Sequence, residues 1–155
     1  MNDKVELGVS AKHIINGVEG IATCKSVSLN GTVQYAIMPD GTMPDGKPYD
    51  QIWYDEGMLV RTETNACAVV EASKTDIVLG NTVEHLSGFV GIALERVEYI
   101  NGCVFIGIMP KTEDPNKLPE MQYVPCQYLH VHMEKEIVET ASDDKGGPAT
   151  KAPTM

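Results

Sequence analysis

Apolar and polar positions along the chain alternate in short runs broken by glycine turns, and the same run of turns occurs twice. Ile21 to Leu29 and Thr32 to Met38 are strand-like and are separated by Asn30-Gly31. Ile92 to Ile100 and Cys103 to Met109 repeat them around Asn101-Gly102. Asn-Gly between two such runs is the dipeptide most typical of a type I′ two-residue hairpin, so a hairpin is predicted in each copy. β-branched and aromatic residues such as Val97, Tyr99, Val104 and Phe105 favour a pleated surface over a helix.

The repeat is close to letter for letter between Gly17 to Pro39 and Gly88 to Pro110, at an offset of 71. Upstream the offset becomes 72, pairing His13 with His85, and downstream 70, pairing Leu59 with Leu129, as loop insertions produce. Each hairpin is preceded by a short strand, Val9 to Ile15 or Asn81 to Leu86, and by a Gly-x-x-Gly step read as a turn or bulge needing positive φ. Each ends at Met-Pro, where proline removes a ladder donor. A polar loop follows, then Gln51 to Asp55 or Met121 to Pro125, a one-turn helix, and a last strand, Met58 to Glu63 or Tyr128 to Met133.

That order of five short strands predicts an all-β chain of two tandem five-stranded SH3-like small barrels with an extended C-terminal tail. The first barrel is placed at residues 1–63, a connector at 64–78, the second barrel at 79–133 and the extended or flexible tail at 134–155. Units of about 55 residues are marginal alone, so the copies are expected to pack on each other or on a partner. The connector contains Ala66-Cys67-Ala68-Val69-Val70, too apolar for a free linker, and either extends the last strand or packs between the modules.

Composition narrows the function classes. A formal charge of −10 and no basic run argue against nucleic acid, whose phosphates require lysine and arginine patches. No window of about 18 apolar residues occurs, so no membrane segment is expected. Met1-Asn2-Asp3-Lys4 lacks the apolar core of a signal peptide, which points to synthesis in a cytosol. The four cysteines, Cys24, Cys67, Cys103 and Cys126, do not repeat with the module. They read as small buried residues or incidental thiols, with an intermolecular disulfide as the alternative.

The chemistry-bearing residues give no enzyme pattern, so no catalytic residues, cofactor or metal are expected. His130-Val131-His132 puts two imidazoles on one strand face, but no further ligands are evident, and an exposed pair is the expectation. His13 and His85 repeat, which a structural hydrogen bond to the following Gly turn explains. Asp55 and Glu56 are adjacent acids in copy one only and read as solvated turn residues. Tyr49, Trp53, Tyr54, Tyr123 and Tyr128 are the candidate partner-binding residues: they could line a peptide groove or serve as core and rim packing.

The step Gly-Phe-Val-Gly-Ile-Ala, followed by Glu95 to Cys103, resembles a family of small uncharacterised proteins encoded by tailed bacteriophages. Asp45-Gly46-Lys47-Pro48 and Trp53-Tyr54-Asp55-Glu56 resemble its later segment. The resemblance covers most of both copies but neither the tail nor Thr64 to Asp76. It implies an SH3-like barrel and a phage origin, and it carries no catalytic residues. The chain departs from it in having two copies and a long tail. The resulting expectation is a non-enzymatic structural component of a tailed-phage virion: a capsid decoration, collar, neck or tail accessory protein. Its partners would be other virion proteins, major capsid, neck or tail subunits, with a homo-oligomer in the assembly and neither nucleic acid nor membrane as a partner. Its location would be the virion after synthesis in the host cytoplasm. The alternative is a phage-encoded host-defence inhibitor or small-molecule-binding sponge, with a pocket of repeated residues near His13 and His85.

Overall fold

A computed structural model describes residues 4–110, 116 and 119–132, so the tail from 134 lies outside the described residues. The expected all-β class holds: ten antiparallel strands form one sheet. The first half holds β1 (Val9–His13), β2 (Glu19–Ser28), β3 (Val33–Pro39), β4 (Ile52–Asp55) and β5 (Leu59–Ala66). The second holds β6 (Thr82–His85), β7 (Val90–Tyr99), β8 (Val104–Pro110), β9 (Gln122–Pro125) and β10 (Leu129–Val131). One turn of 3-10 helix, Glu56–Met58 or Cys126–Tyr128, precedes the last strand of each half.

Pairing is the same in both halves. The first strand pairs with the second and the last, the second with the third, and the third with the fourth. Each half buries its own core: Val5, Ala11, Ala22, Tyr35, Ile37 and Leu59 in the first, and Ile77, Val83, Val104, Ile106, Ile108 and Cys126 among those in the second. The connector divides its allegiance. Its start extends β5 to Ala66, then Cys67 N–H donates to Gly8 O and Val70 N–H to Ile100 O, and Ile77 enters the second core.

The halves are joined by β2 and β7, which pair antiparallel along Cys24↔Tyr99, Lys25↔Glu98, Ser26↔Val97, Val27↔Arg96 and Ser28↔Glu95. At the repeat offset of 71, Ser26 and Val97 are equivalent residues, and every other pair is matched by its mirror in the list. The relation is therefore that of a two-fold axis through the Ser26–Val97 pair, the geometry of an isologous dimer written in one chain. Two further bonds obey it: Leu29 N–H donates to Leu94 O at 2.8 Å, and its equivalent Ile100 N–H to Thr23 O at 3.1 Å.

The hairpin turns differ from the type I′ expectation. Gly31 and Gly102 have φ of 90° and 89°, whereas Asn30 and Asn101 do not enter the positive-φ region that I′ requires of both central residues. Gly31 N–H bonds Ser28 O, and Ser28 N–H bonds Thr32 O; Gly102, Tyr99 and Cys103 repeat this. That is a three-residue loop closed by a glycine bulge. The asparagine side chain fixes it by accepting from the backbone N–H two residues on, at 3.0 Å in both copies.

The Gly-x-x-Gly step divides its work likewise. Gly17 and Gly88 take φ of 77° and 96° in the turn, while Gly20 and Gly91 lie inside strands. A methyl group at Gly20 would overlap the Met38 carbonyl oxygen, and one at Gly91 would sit 2.6 Å from that of Met109. Gly20→Ala and Gly91→Ala should therefore each destabilise the protein by more than about 2 kcal/mol, in the range of overpacked cores. Gly57→Ala, at a site open to solvent, should change stability by less than about 0.5 kcal/mol. Urea denaturation of the three variants checks this; equal losses would contradict it.

Candidate functional site

Strand alternation sends Cys24, Ser26 and Ser28 of β2, with Glu95, Val97 and Tyr99 of β7, to one face of the junction. Lys25, Arg96 and Glu98 go to the other, where Lys25 Nζ lies 5.9 Å from the Tyr35 ring centroid. Cys24, Ala36 and Val97 form a small buried cluster on the first face, flanked by Tyr99 and Phe105, whose rings meet edge-on at 5.5 Å. Over it opens a cleft of about 450 Å³ lined by Gln34, Trp53, Glu95, Val97, Tyr99 and Tyr123.

Trp53 and Tyr123 are equivalent residues. Trp53 pairs with Ala36 in the β3–β4 ladder, and Tyr123 with Gly107 in the β8–β9 ladder, at the matching position of each half. They are 39% and 50% exposed, enough for both to present surface to a ligand. The cleft thus spans the pseudo-two-fold axis with one large aromatic contributed by each half.

Glu95 is held from both halves. Ser26 Oγ donates to its Oε2 and Tyr123 Oη to its Oε1. Space for that arrangement comes from Gly107: a methyl group there would lie 2.6 Å from Met121 Sδ, 2.9 Å from the Tyr123 ring and 3.2 Å from Glu95 Cβ. The first half has Ala36 and Cys24 at the equivalent positions, paired with each other as Gly107 and Glu95 are. Gln34, which lines the cleft, donates an amide N–H to Asp55 Oδ1 at 2.8 Å.

The five aromatics expected to act together are distributed over four places. Trp53 and Tyr123 share the cleft. Tyr54 packs on His13 at 4.3 Å between ring centroids, and Tyr128 meets His85 edge-on at 5.8 Å. Tyr49 lies in the loop beside Gly41. His13 Nδ1 accepts from the N–H groups of Ile15 and Asn16, and His85 Nδ1 from that of Ser87. These bonds cap the turns that the repeated histidines precede. His130 and His132 both approach Glu84 Oε1, at 3.5 and 3.8 Å. Among the described residues no group of three or more His, Cys, Asp or Glu side chains could hold a metal ion. The four cysteines are free, Cys24 and Cys126 buried and Cys67 and Cys103 exposed. Burial pushes the Cys24 and Cys126 thiols up from their ordinary range, which makes them poor nucleophiles.

Glu95, Gln34, Tyr99 and Val97 were not singled out by sequence. The signal present was a contrast between the copies: Glu95 replaces Cys24 and Gly107 replaces Ala36 inside an otherwise matching ladder. Comparison with family models, with curated proteins and with solved structures finds no match for this chain. No helix among the described residues is long and apolar enough to cross a membrane.

Tyr123 is pushed up to about 12 by burial and then by its bond to Glu95. Tyr35, whose hydroxyl donates to Val5 O at 3.0 Å, is pushed up to about 12 by burial and then by Glu56, Glu6 and Glu98. The unfolded chain ionises its phenols near pH 10, before the fold does. The contribution of these two groups is therefore complete below about pH 10 and is lost as pH rises to about 12. Ultraviolet titration should show late-ionising tyrosines, one fewer in Tyr123→Phe, and the melting temperature should fall across that interval.

Proposed function

We propose that this chain is a non-catalytic, phage-encoded binding protein: two SH3-like small barrels fused about a pseudo-two-fold axis, with the junction cleft as the ligand site. The observation that carries this is the pairing of the equivalent residues Trp53 and Tyr123 across one cleft that neither half could form alone. Its volume of about 450 Å³ lies within the range of small-molecule sites. The shape favours the small-molecule-binding reading, in which the protein sequesters a ligand in the host cytoplasm. The repeated histidines cap turns, so the repeated pair that lines this site is aromatic.

The virion reading draws on a different surface. The capped turns hold up Ile15, 75% exposed, with exposed Ile14 next to it in the chain, and, in the other half, Leu86, 74% exposed. Exposed aliphatic tips at equivalent places in both halves suit docking on a capsid, neck or tail subunit.

A melting-temperature screen with a deproteinised extract of host cells tests the leading reading. A ligand at about 100 times its Kd should raise the melting temperature by roughly 5–10 °C. Trp53→Ala and Tyr123→Ala, which truncate half-exposed side chains, should abolish the rise. No rise in any fraction, together with stoichiometric recovery of the chain in purified phage particles by mass spectrometry, would replace that reading with the virion one.

A further inference from the structure

Resting on the reading of the junction cleft as a ligand site, we infer that the cleft takes an organic cation, an alkylammonium or guanidinium head group. Three aromatic side chains, Trp53, Tyr99 and Tyr123, and one carboxylate, Glu95, make up most of its lining. Aromatic faces carry negative charge and attract cations over the ring, an attraction that grows as water is excluded.

Among the described residues, no lysine or arginine lines the cleft. The basic residues of the junction strands, Lys25 and Arg96, project from the reverse face, Arg96 paired there with Glu98 at 2.7 Å. The remaining polar groups of the cleft are uncharged. Gln34 has committed one of its two amide N–H groups to Asp55, and Tyr123 and Ser26 have committed their hydroxyl protons to Glu95. The donors left, among them the second Gln34 N–H and the Tyr99 hydroxyl, are neutral. A phosphate or carboxylate entering here would meet the Glu95 carboxylate and π-faces, with no cationic side chain of the described lining to balance its charge. A cation would meet Glu95 at one side and the rings at the others.

The Glu95 carboxylate is also placed and not incidental. Two donors from opposite halves hold it, and Gly107 is the residue that leaves room for it. The reverse-face hollow differs in kind, since Lys4 and Lys25 line it alongside Glu6 and Glu98.

Trp53 is the only tryptophan, so its emission reports the cleft directly. The whole chain is titrated with choline, with agmatine, and with 3,3-dimethyl-1-butanol, the uncharged analogue of choline. Saturable quenching by choline or agmatine, at least about tenfold tighter than the uncharged analogue, is expected for cation recognition over aromatic faces. Glu95→Gln, which keeps one oxygen to accept from one of the two hydroxyls and turns its NH2 toward the oxygen of the other, should weaken the charged probe by about tenfold while leaving the thermal melt in place. If that variant unfolds, Tyr123→Phe gives a test of opposite sign: it keeps the ring and the charge but frees the carboxylate from one donor, so the charged probe should bind more tightly and the uncharged analogue should not, and an unchanged ratio of the two contradicts the inference. An N-acetylated, C-amidated arginine or trimethyllysine binding tighter than agmatine or choline puts the cation on a partner protein; weaker binding puts it on a free small molecule. Equal binding of the uncharged analogue, or saturation by an anionic compound alone, overturns the cation while keeping the cleft as the site. No saturable binding by any charged probe overturns the inference as well.

Discussion

The pairing of β2 with β7 is the constraint on which the rest of the structure depends. Without it, each half would hold a ten-residue strand whose later part, Cys24 to Ser28 or Glu95 to Tyr99, is unpaired along one side, an edge of the kind that recruits other chains. Each half has a core of its own, but a small one, and the intervening cluster of Cys24, Ala36 and Val97 exists only because the two sheets are continuous. The connector reinforces this by bonding to Gly8 of one half and to Ile100 and Gly102 of the other. Stability, the cleft and the orientation of its aromatics therefore come from one strand pair.

That pairing also separates charge. Because neighbouring residues of a strand face opposite ways, the Lys25↔Glu98 pair and Arg96 share one face, and Glu95, Val97 and Tyr99 share the other. The opposite-sign pair across the strands is of the kind that favours register. The same alternation gives the cleft Glu95 and Tyr99 and puts Lys25 and Arg96 behind it. A shift of one residue in the β2–β7 register would exchange these faces and destroy the site.

Much of the architecture was legible in the sequence, since turn glycines, Met-Pro strand ends and β-branched runs are local signals. Each predicted strand overlaps an observed one, and the one-turn helices precede the last strands as expected. The turn type was misjudged because Asn-Gly serves two loops: here the asparagine acts through its side chain and only the glycine needs positive φ. The junction was not legible, because nothing local distinguishes a strand that pairs outside its own copy. Nor was the cleft: aromatics could be recognised as surface candidates, but which of them converge depends on that long-range pairing. Trp53 and its neighbour Tyr54 end on opposite faces, one in the cleft and one on His13.

Tandem fusion has a chemical consequence that a homodimer could not share. Across a true two-fold axis, the residues either side must be identical, so a carboxylate near the axis faces its own copy, and two like charges at close range disfavour ionisation. In this chain the equivalent of Glu95 is Cys24, and the residue opposing Val97 across the axis is Ser26, which supplies Glu95 with a hydroxyl donor. The equivalent of Gly107 is Ala36, so only one half makes space for the carboxylate. Duplication preserved the ladder that forms the cleft, while freedom from exact symmetry allowed one acidic group to be placed in it, held by a donor from each half.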